Sequence, residues 1–489
     1  MVQSQPAIPN IRQPVSSIPA WLANILVLVG SITLFVLIVA VGAGLFTAFQ
    51  PPSVSPVVSL DPANLPYYAA RSTLRMFIAL FFSLVVTYVV GSAAAHSVRA
   101  ERIIIPIVDV LQSVPVLSFL SITVTFFIAL FPGNLLGLEC ASIFAIFTGQ
   151  VWNMIFSYHQ SLRALPSDMD DASRVYRLSG WERFTRVEAP AAMSPLVWNA
   201  MLSFGGGWFF VSASEAISVL NHNYTLPGIG SYVAAAISAG DLTAIAWAIV
   251  AIMIVILLCD QLFWRPIVAW SDRFKMEQSA GSEAPTSWLL KLWRTADLPR
   301  RIGRVFGPLE GRIDRTLAHL TTLRPPHPLS MPRRGLTDIV VNGVVLALLA
   351  AAIASASLFI LRGVPVTEVG DVFLRGLATL ARVVVLIVLS TLIWVPIGAV
   401  IGLNPKLARI AQPIAQLLSS FPSNFLFPVA TIVFLRTNLS LNFGSILLMA
   451  LGAQWYILFN AIAGARGISN DIQEMSRSFG VEGWLKWRD

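Results

Sequence analysis

The stretch "DDASRVYRLSGWERFTRVEAP" runs from Asp170 to Pro190, between two long apolar segments. Only 12% of the chain is charged, yet residues 163–190 hold five arginines and five acids. Ser167 with Asp170 makes an S-x-x-D helix-start signal, and Ser179 with Glu182 makes a capping box. Gly180 lies at the junction and Pro190 opens the next apolar run, so the pattern predicts two short helices joined at an angle. Val175, Leu178, Trp181, Phe184 and Val187 form an apolar stripe, with Arg174, Arg177, Arg183 and Arg186 alternating with acids around it. Such a projection suits docking into a groove on another protein, apolar anchors giving affinity and charges giving register. A plain loop anchored by arginines is the alternative.

Outside this stretch the chain is oily. It has 489 residues, 56% of them hydrophobic, and about half the charged fraction of about 25% usual in soluble proteins. Runs long enough to cross a bilayer recur, about 20 residues sufficing at a 1.5 Å rise each. The fold class is therefore an all-α polytopic membrane protein. Ten spans fall near 21–46, 74–95, 103–131, 138–160, 190–213, 241–264, 338–361, 376–403, 410–435 and 443–465. The first is too long for a signal peptide's apolar core of about 7–15 residues. Thirteen Lys/Arg between 265 and 337, against Arg71, Arg362 and Arg436 in the opposite loops, place the N-terminus in the cytoplasm by the positive-inside rule. Nucleic acid is not needed to explain the net charge of +8. Residues 276–335 read as a cytoplasmic linker, with "SWLLKLW" a candidate for lying on the lipid surface. Cys140 and Cys259 provide neither a disulfide framework nor a metal cluster, and five histidines lack ligand spacing.

The linker separates related halves. At an offset of 307, Arg75, Ser83 and Gly91 match Arg382, Ser390 and Gly398, and Arg102, Pro106, Ser113 and Pro115 match Arg409, Pro413, Ser420 and Pro422. At an offset of 303, Gly149, Trp152, Arg163, Asp168, Arg174, Gly180 and Trp181 meet Gly452, Trp455, Arg466, Asp471, Arg477, Gly483 and Trp484, while Asp171 faces Glu474. The charged stretch thus has a second copy, "QEMSRSFGVEGWLKWRD", from Gln473 to Asp489. Equivalent spans lie six helices apart, which makes the repeats parallel. The expected domains are a tail, extra helix and external loop over 1–70, a first membrane domain over 71–275, the linker over 276–335, and a second membrane domain over 336–489. The second domain is expected to be incomplete, about 80 residues short of the first. A pathway between the halves follows, with Pro115 and Pro422 kinking helices along it or merely packing.

Asp170, Asp171-Ala172, Gly180 and the ending "RFTRVEAP" resemble the EAA loop of ATP-binding cassette (ABC) importer permeases. The second copy has Glu474 with Gly480 six residues later, the usual spacing, whereas the first copy has Arg177 at that place. "ERIIIPIVDVLQSVPVLSFL" at 101–120, "GGGWFFVSASEAI" at 205–217 and "LPGIGSYVAAAISAGD" at 226–241 extend the resemblance to the duplicated permeases of the nitrate, sulfonate and taurine branch. It covers roughly 70–275 and 375–489. It implies two repeats of the type I importer fold in a bacterial inner membrane, a separate cytoplasmic ATPase, an extracytoplasmic solute-binding protein and a small anionic solute such as nitrate, sulfonate, taurine or bicarbonate. It assigns ATPase coupling to Asp170, Asp171, Ala172, Arg174, Gly180, Trp181 and Phe184, and to Glu474, Arg477, Gly480, Gly483 and Trp484.

The chain lacks G-x-x-x-x-G-K-[ST], so ATP and its magnesium are expected on the partner, with no cofactor and no catalytic or metal site here. For the solute path the candidates are Arg75, Arg382, Ser83, Ser390, Pro115 and Pro422. A guanidinium fork suits nitrate, carboxylate or sulfonate oxygens, although arginines near a membrane edge also snorkel to headgroups. Asp109, Glu215 and Asp260 are the acids that an ion-gradient-driven carrier would use, the main alternative function. A membrane scaffold that transports nothing is another. The triplet Gly205-Gly206-Gly207 reads as close helix packing rather than a nucleotide loop.

Overall fold

The computed structural model describes residues 19–44, 58–219, 222–274, 287–297, 304, 307, 311–312, 314–319, 321, 336–438, 440–466, 468 and 470–480. Most of the expected linker and the start of the N-terminal tail lie outside these residues. The first apolar run forms α1 (Ala20–Ala43), and its side chains are almost all exposed, as a lipid-facing helix requires. The first domain follows as α2 (Leu65–His96), α3 (Val98–Ser113), α4 (Val116–Leu130), α5 (Leu136–Arg163), α6 (Ser167–Val175), α7 (Gly180–Arg183) and α8 (Ala189–Ser214). It closes with α9 (Ile229–Ala239), α10 (Leu242–Cys259) and α11 (Arg265–Ser271). Further on lie α12 (Trp288–Thr295), α13 (Leu336–Gly363), α14 (Val366–Leu403), α15 (Pro405–Ser420), α16 (Phe427–Arg436), α17 (Leu441–Arg466) and α18 (Asn470–Ser478).

Among the described residues, seven helical segments are long and apolar enough to cross a membrane. Two more crossings arise only if bent pairs count as single spans: α3 with α4 turns through 97°, and α15 with the helical run through α16 through 75°. The ten expected spans include two that Pro115 and Pro422 interrupt, and at each of these the interruption is a sharp bend. Pro115 and Pro422 push the residues before them, Val114 (φ −75°, ψ 123°) and Phe421 (φ −72°, ψ 126°), into extended backbone, which ends each helix. Pro106 and Pro413, by contrast, lie inside continuous helices. The all-α expectation needs one amendment: β1 (Ala216–Val219) pairs antiparallel with β2 (His222–Thr225), Ala216 opposite Thr225.

Elements α14 to α18 reproduce the order of α2 to α6, and the packing repeats with them. The most extensive helix contact in the first half is between α2 and α5, and in the second between α14 and α17. Gly91 lets Tyr158 come so near that an added Cβ would lie 2.6 Å from its ring; the equivalent Gly398 approaches Ala461 equally closely. Those partners, too, are 303 residues apart. Arg75 meets Glu139 and Gly91 meets Tyr158, so α2 and α5 run in the same direction.

In the first half α8 lies against α2 and α5, burying Leu196, Ala200, Phe204 and Trp208. Phe204 is edge-on to Trp208 and Trp264 at 6.0 and 5.4 Å between centroids. The opposite side of α8 meets α15, which joins the halves. Helix α12, within the expected "SWLLKLW" piece, buries Leu292 against Ala23 and Val27 of α1 while Trp288 and Trp293 stay exposed.

Candidate functional site

The charged stretch folds into α6 and α7 with a reversal between them. Helix α6 begins at Ser167 itself, after Pro166, with no side-chain cap, so the S-x-x-D signal marks the right place without making the bond. The helix ends on Arg177 in the left-handed region (φ 48°). Leu178 N–H donates to Ser173 O and Arg177 N–H to Arg174 O, the paired bonds of a Schellman turn. The equivalent position in the second copy is Gly480, also left-handed at φ 63°. Its glycine therefore has a conformational reason, and the arginine of the first copy adopts the same backbone against the steric penalty of a Cβ.

The capping box at α7 forms as the spacing predicts: Glu182 N–H donates to Ser179 Oγ at 3.2 Å and Ser179 N–H donates to Glu182 Oε2 at 3.0 Å. Asp170 pairs with Arg174 at 2.5 Å and with Arg183 at 2.6 Å, tying α6 to α7. Arg183 also reaches Glu188 at 2.7 Å, and Glu188 meets His96 at the end of α2 at 2.7 Å. Residues 184–188 are wound as a π-helical turn leading into α8, a distortion that recurs at functional positions. The loop is thus fastened to two helices by a chain of charges that adjacent-residue patterns do not reveal, because His96 lies 92 positions from Glu188.

The expected apolar stripe divides in two. Phe184 turns inward onto Tyr88 and Trp181, with ring centroids 5.5 Å away in both cases. Val175 and Tyr176 point out, 78% and 77% exposed, beside exposed Asp171 and Ala172. In the second copy Glu474 and Gly480 are exposed. The Arg477 side chain, Gly483 and Trp484 lie outside the described residues.

Arg75 is wholly buried. Its Nε donates to Glu139 Oε2 at 2.5 Å, its Nη2 to Glu139 Oε1 at 2.7 Å and its Nη1 to Glu215 Oε1 at 2.6 Å. Arg71 also pairs with Glu139, while Ser72 Oγ donates to Glu215 at 2.5 Å and Gly230 N–H at 2.7 Å. Two arginines and two glutamates cancel, the condition under which charges tolerate burial. Arg382 is partly exposed and donates to Asn442 Oδ1 at 2.9 Å. Asn442 is the counterpart of Glu139 at the 303 offset, so the pairing geometry is kept in both halves while the acid becomes an amide. Glu139 and Arg71, essential to this cluster, are not singled out by any sequence motif, and Glu139 lies 64 positions from Arg75, beyond the reach of a local pattern. Ser83 is buried with its hydroxyl donating to Ala79 O, and Ser390 is also buried. Pro115 is exposed, whereas Pro422 is buried between the halves.

Across the seam between halves, Asn424 Nδ2 donates to Ser212 Oγ at 2.8 Å and Gln416 Nε2 donates to Asp260 Oδ1 at 2.8 Å. Asp260 is also held by Arg265 at 3.0 Å. A Cβ on Gly205 would sit 2.6 Å from Ser420 Oγ, and one on Gly206 2.4 Å from Tyr456 Oη, so these two glycines let the halves touch. Gly207 instead faces Gln150 and Met76 within the first half. The crevice among Ser72, Ser212, Glu215, Gly230, Pro422 and Phe425 has no room for a water molecule, so the seam is shut. Among the described residues no group of three or more His, Cys, Asp or Glu is placed to hold a metal ion.

Residues 87–263 match the family described as the binding-protein-dependent transport system inner membrane component. A nitrate import permease protein of Leptolyngbya laminosa is 25% identical over 199 residues, 41% of this chain and 66% of that protein. A bicarbonate transport system permease protein of Synechococcus elongatus is 28% identical over 134 residues, 27% of this chain and 45% of its own length. A nitrate import permease protein of Synechocystis is 26% identical over 156 residues, 32% and 52% of the two chains. The aligned stretches thus span between under half and just under two thirds of these relatives. With its helix order, bent pair and multiple crossings, the stretch 87–263 is similar to the inner-membrane components of binding-protein-dependent transport systems, the permeases of ABC importers.

Proposed function

We propose that this chain forms the translocation path of an importer for a small anion of the nitrate or bicarbonate kind, driven by separate cytoplasmic ATPase subunits and fed by an extracytoplasmic binding protein. The observation that carries the reading is the first charged loop, which offers Val175, Tyr176, Asp171 and Ala172 to a partner while its other side is pinned through Asp170, Arg183, Glu188 and His96 to α2 and α8. A pull on that loop is delivered to the helices that carry the buried cluster and the seam. The loop at α18 plays the same part for the second half, through Glu474, Arg477, Gly480, Gly483 and Trp484. The relatives named for nitrate and bicarbonate support the solute class.

Within the path, Arg382 is the arginine a solute would meet, since Arg75 has its guanidinium committed to Glu139 and Glu215. Ser83, Ser390 and Pro115 would shape helix packing around the path, and Pro422 its closed seam. The gradient-driven alternative is disfavoured because two of its three acids, Glu215 and Asp260, are held by Arg75 and Arg265, while Asp109 is exposed and accepts from Gln112 on its own helix.

The test is co-purification followed by uptake. Wild-type chain should retain an ATPase subunit, and Val175→Asp with Tyr176→Asp should cut retention at least tenfold while membrane insertion is unchanged. In cells supplied with every partner, nitrate or bicarbonate uptake should fall with ATP depletion. Uptake that survives ATP depletion but vanishes with an ionophore would overturn the proposal.

A further inference from the structure

Two hydrogen bonds link the first charged loop to the segment between the halves. Trp181 N–H donates to Thr321 Oγ1 at 3.1 Å, and Trp181 Nε1–H donates to Asp314 Oδ1 at 2.9 Å. A Cβ on Gly180 would lie 3.5 Å from Thr321 Cβ, ordinary contact. Residues 314–319 and 321 are helical, and Asp314 and Thr321, seven positions apart, fall on one face two turns from each other. Thr321 Oγ1 is itself set in place by donating to Leu317 O at 2.8 Å.

The first bond answers a specific need of α7. The opening N–H groups of any helix lack intrahelical acceptors. Here the Ser179 hydroxyl takes the N–H of Glu182, so the N–H of Trp181 still requires an acceptor. Thr321, 140 residues away, supplies it. The same contact covers the Gly180 side of the corner and takes up the indole N–H. The ring of Trp181 packs on Phe184, and Phe184 on Tyr88 of α2, so the corner is continuous with the membrane helices.

We infer that the helical residues 314–319 and 321 form a releasable cover on the Gly180–Trp181 corner, and that ATPase docking on this corner requires its removal. The inference rests on the proposed function. Its basis is exclusion: one backbone N–H and one indole N–H cannot serve two acceptors in line, and a second protein cannot occupy space 3.5 Å above Gly180 that the cover fills. Release costs little at the Trp181–Asp314 bond, which is solvent-exposed and can be exchanged for bonds to water. The chain tethers the cover at both ends, which holds it at high effective concentration and sets a threshold for a competitor. The cover leaves Val175 and Tyr176 open, so a partner can engage the loop before displacing it.

A disulfide tests this in the full chain. Gly180→Cys with Thr321→Cys, on a background of Cys140→Ala and Cys259→Ala, brings Cβ atoms within the roughly 3.5–4.5 Å that a disulfide needs. Oxidation should join the two tryptic fragments, and reduction should part them. The probe is the ATPase subunit that wild-type chain retains in the co-purification above. Oxidised protein should capture at least tenfold less of it than the same protein reduced, and Asp314→Asn with Thr321→Val should capture more than wild type. Absence of the disulfide, or equal capture by oxidised and reduced protein, overturns the cover. If wild-type chain retains no ATPase at all, the docking reading fails and the restraint falls with it, whatever the disulfide reports.

Discussion

Arg75 and Arg382 occupy the same place in the two halves and live under opposite conditions. Arg75 balances Glu139 and Glu215 with no solvent access, whereas Arg382 has a neutral amide partner and partial exposure. Removing one member of a buried charge group leaves the others uncompensated, which costs about 3–5 kcal/mol. Arg75→Gln should therefore destabilise the protein by about that amount, because Arg71 alone would face two glutamates. Arg382→Gln strands no charge and should cost about 1 kcal/mol or less. Thermal unfolding in detergent or lipid nanodiscs measures both, and equal losses would remove the distinction between a structural arginine and a path arginine. The sequence declares both arginines through the repeat, but not their partners, since Glu139 is 64 positions and Glu215 140 positions from Arg75. Arg177 is hidden for a different reason: an arginine carries no mark of a left-handed backbone, and only its alignment with Gly480 hints at one.

Helices and their ends were legible where the signal is local. The capping box at Ser179 and Glu182, Pro190 at the opening of α8, and the matched elements of the two halves all follow from short-range patterns. The bends at Pro115 and Pro422 were legible as interruptions but not as turns of 97° and 75°, because proline fixes its own neighbourhood and leaves the following helix to tertiary packing. The strand pair of 216–219 with 222–225 was hidden by the apolar character of its flanks. The glycine triplet reads from sequence as close packing, and the structure adds what is packed: α8 against the second half through Gly205 and Gly206. Gly206→Ala places a methyl 2.4 Å from Tyr456 Oη, with the next ring atom at 3.7 Å. Overpacking of this kind costs about 1–3 kcal/mol. Tyr456→Phe removes the clashing atom, so the double variant should recover most of the loss. A double-mutant cycle on unfolding stability should give a favourable coupling of about 1 kcal/mol or more. Additive effects would mean that α8 and α17 do not meet at this point.

Taken together, the two halves meet where α8 and Asp260 face α15, its following turn and Tyr456 of α17. Large apolar surfaces face outward everywhere else, as lipid contact demands. Two polar contacts hold that seam, Ser212 with Asn424 and Asp260 with Gln416, and between them Ser420 rests on Gly205. Phe421 and Phe425 also pack against the first half, and the hydrogen bonds are the easily broken part of the seam, each contributing only about 0.5–1.5 kcal/mol net. Asp260 stays paired with Arg265 when Gln416 is lost, so Gln416→Ala loosens the seam without orphaning a charge. Asn424→Ala with Gln416→Ala should therefore shift the closed state by about 1–3 kcal/mol. A thiol introduced by Ser420→Cys reports the shift. Its alkylation by a membrane-permeant maleimide should be slow in the closed seam and faster by about ten- to a hundredfold in the loosened one, a factor of ten per 1.4 kcal/mol. Cys140, half-buried, and Cys259, buried, serve as reference thiols in the same molecule and report any general loosening of the fold. If position 420 accelerates no more than these two, the halves do not part along α8, and the path must be sought elsewhere in the bundle.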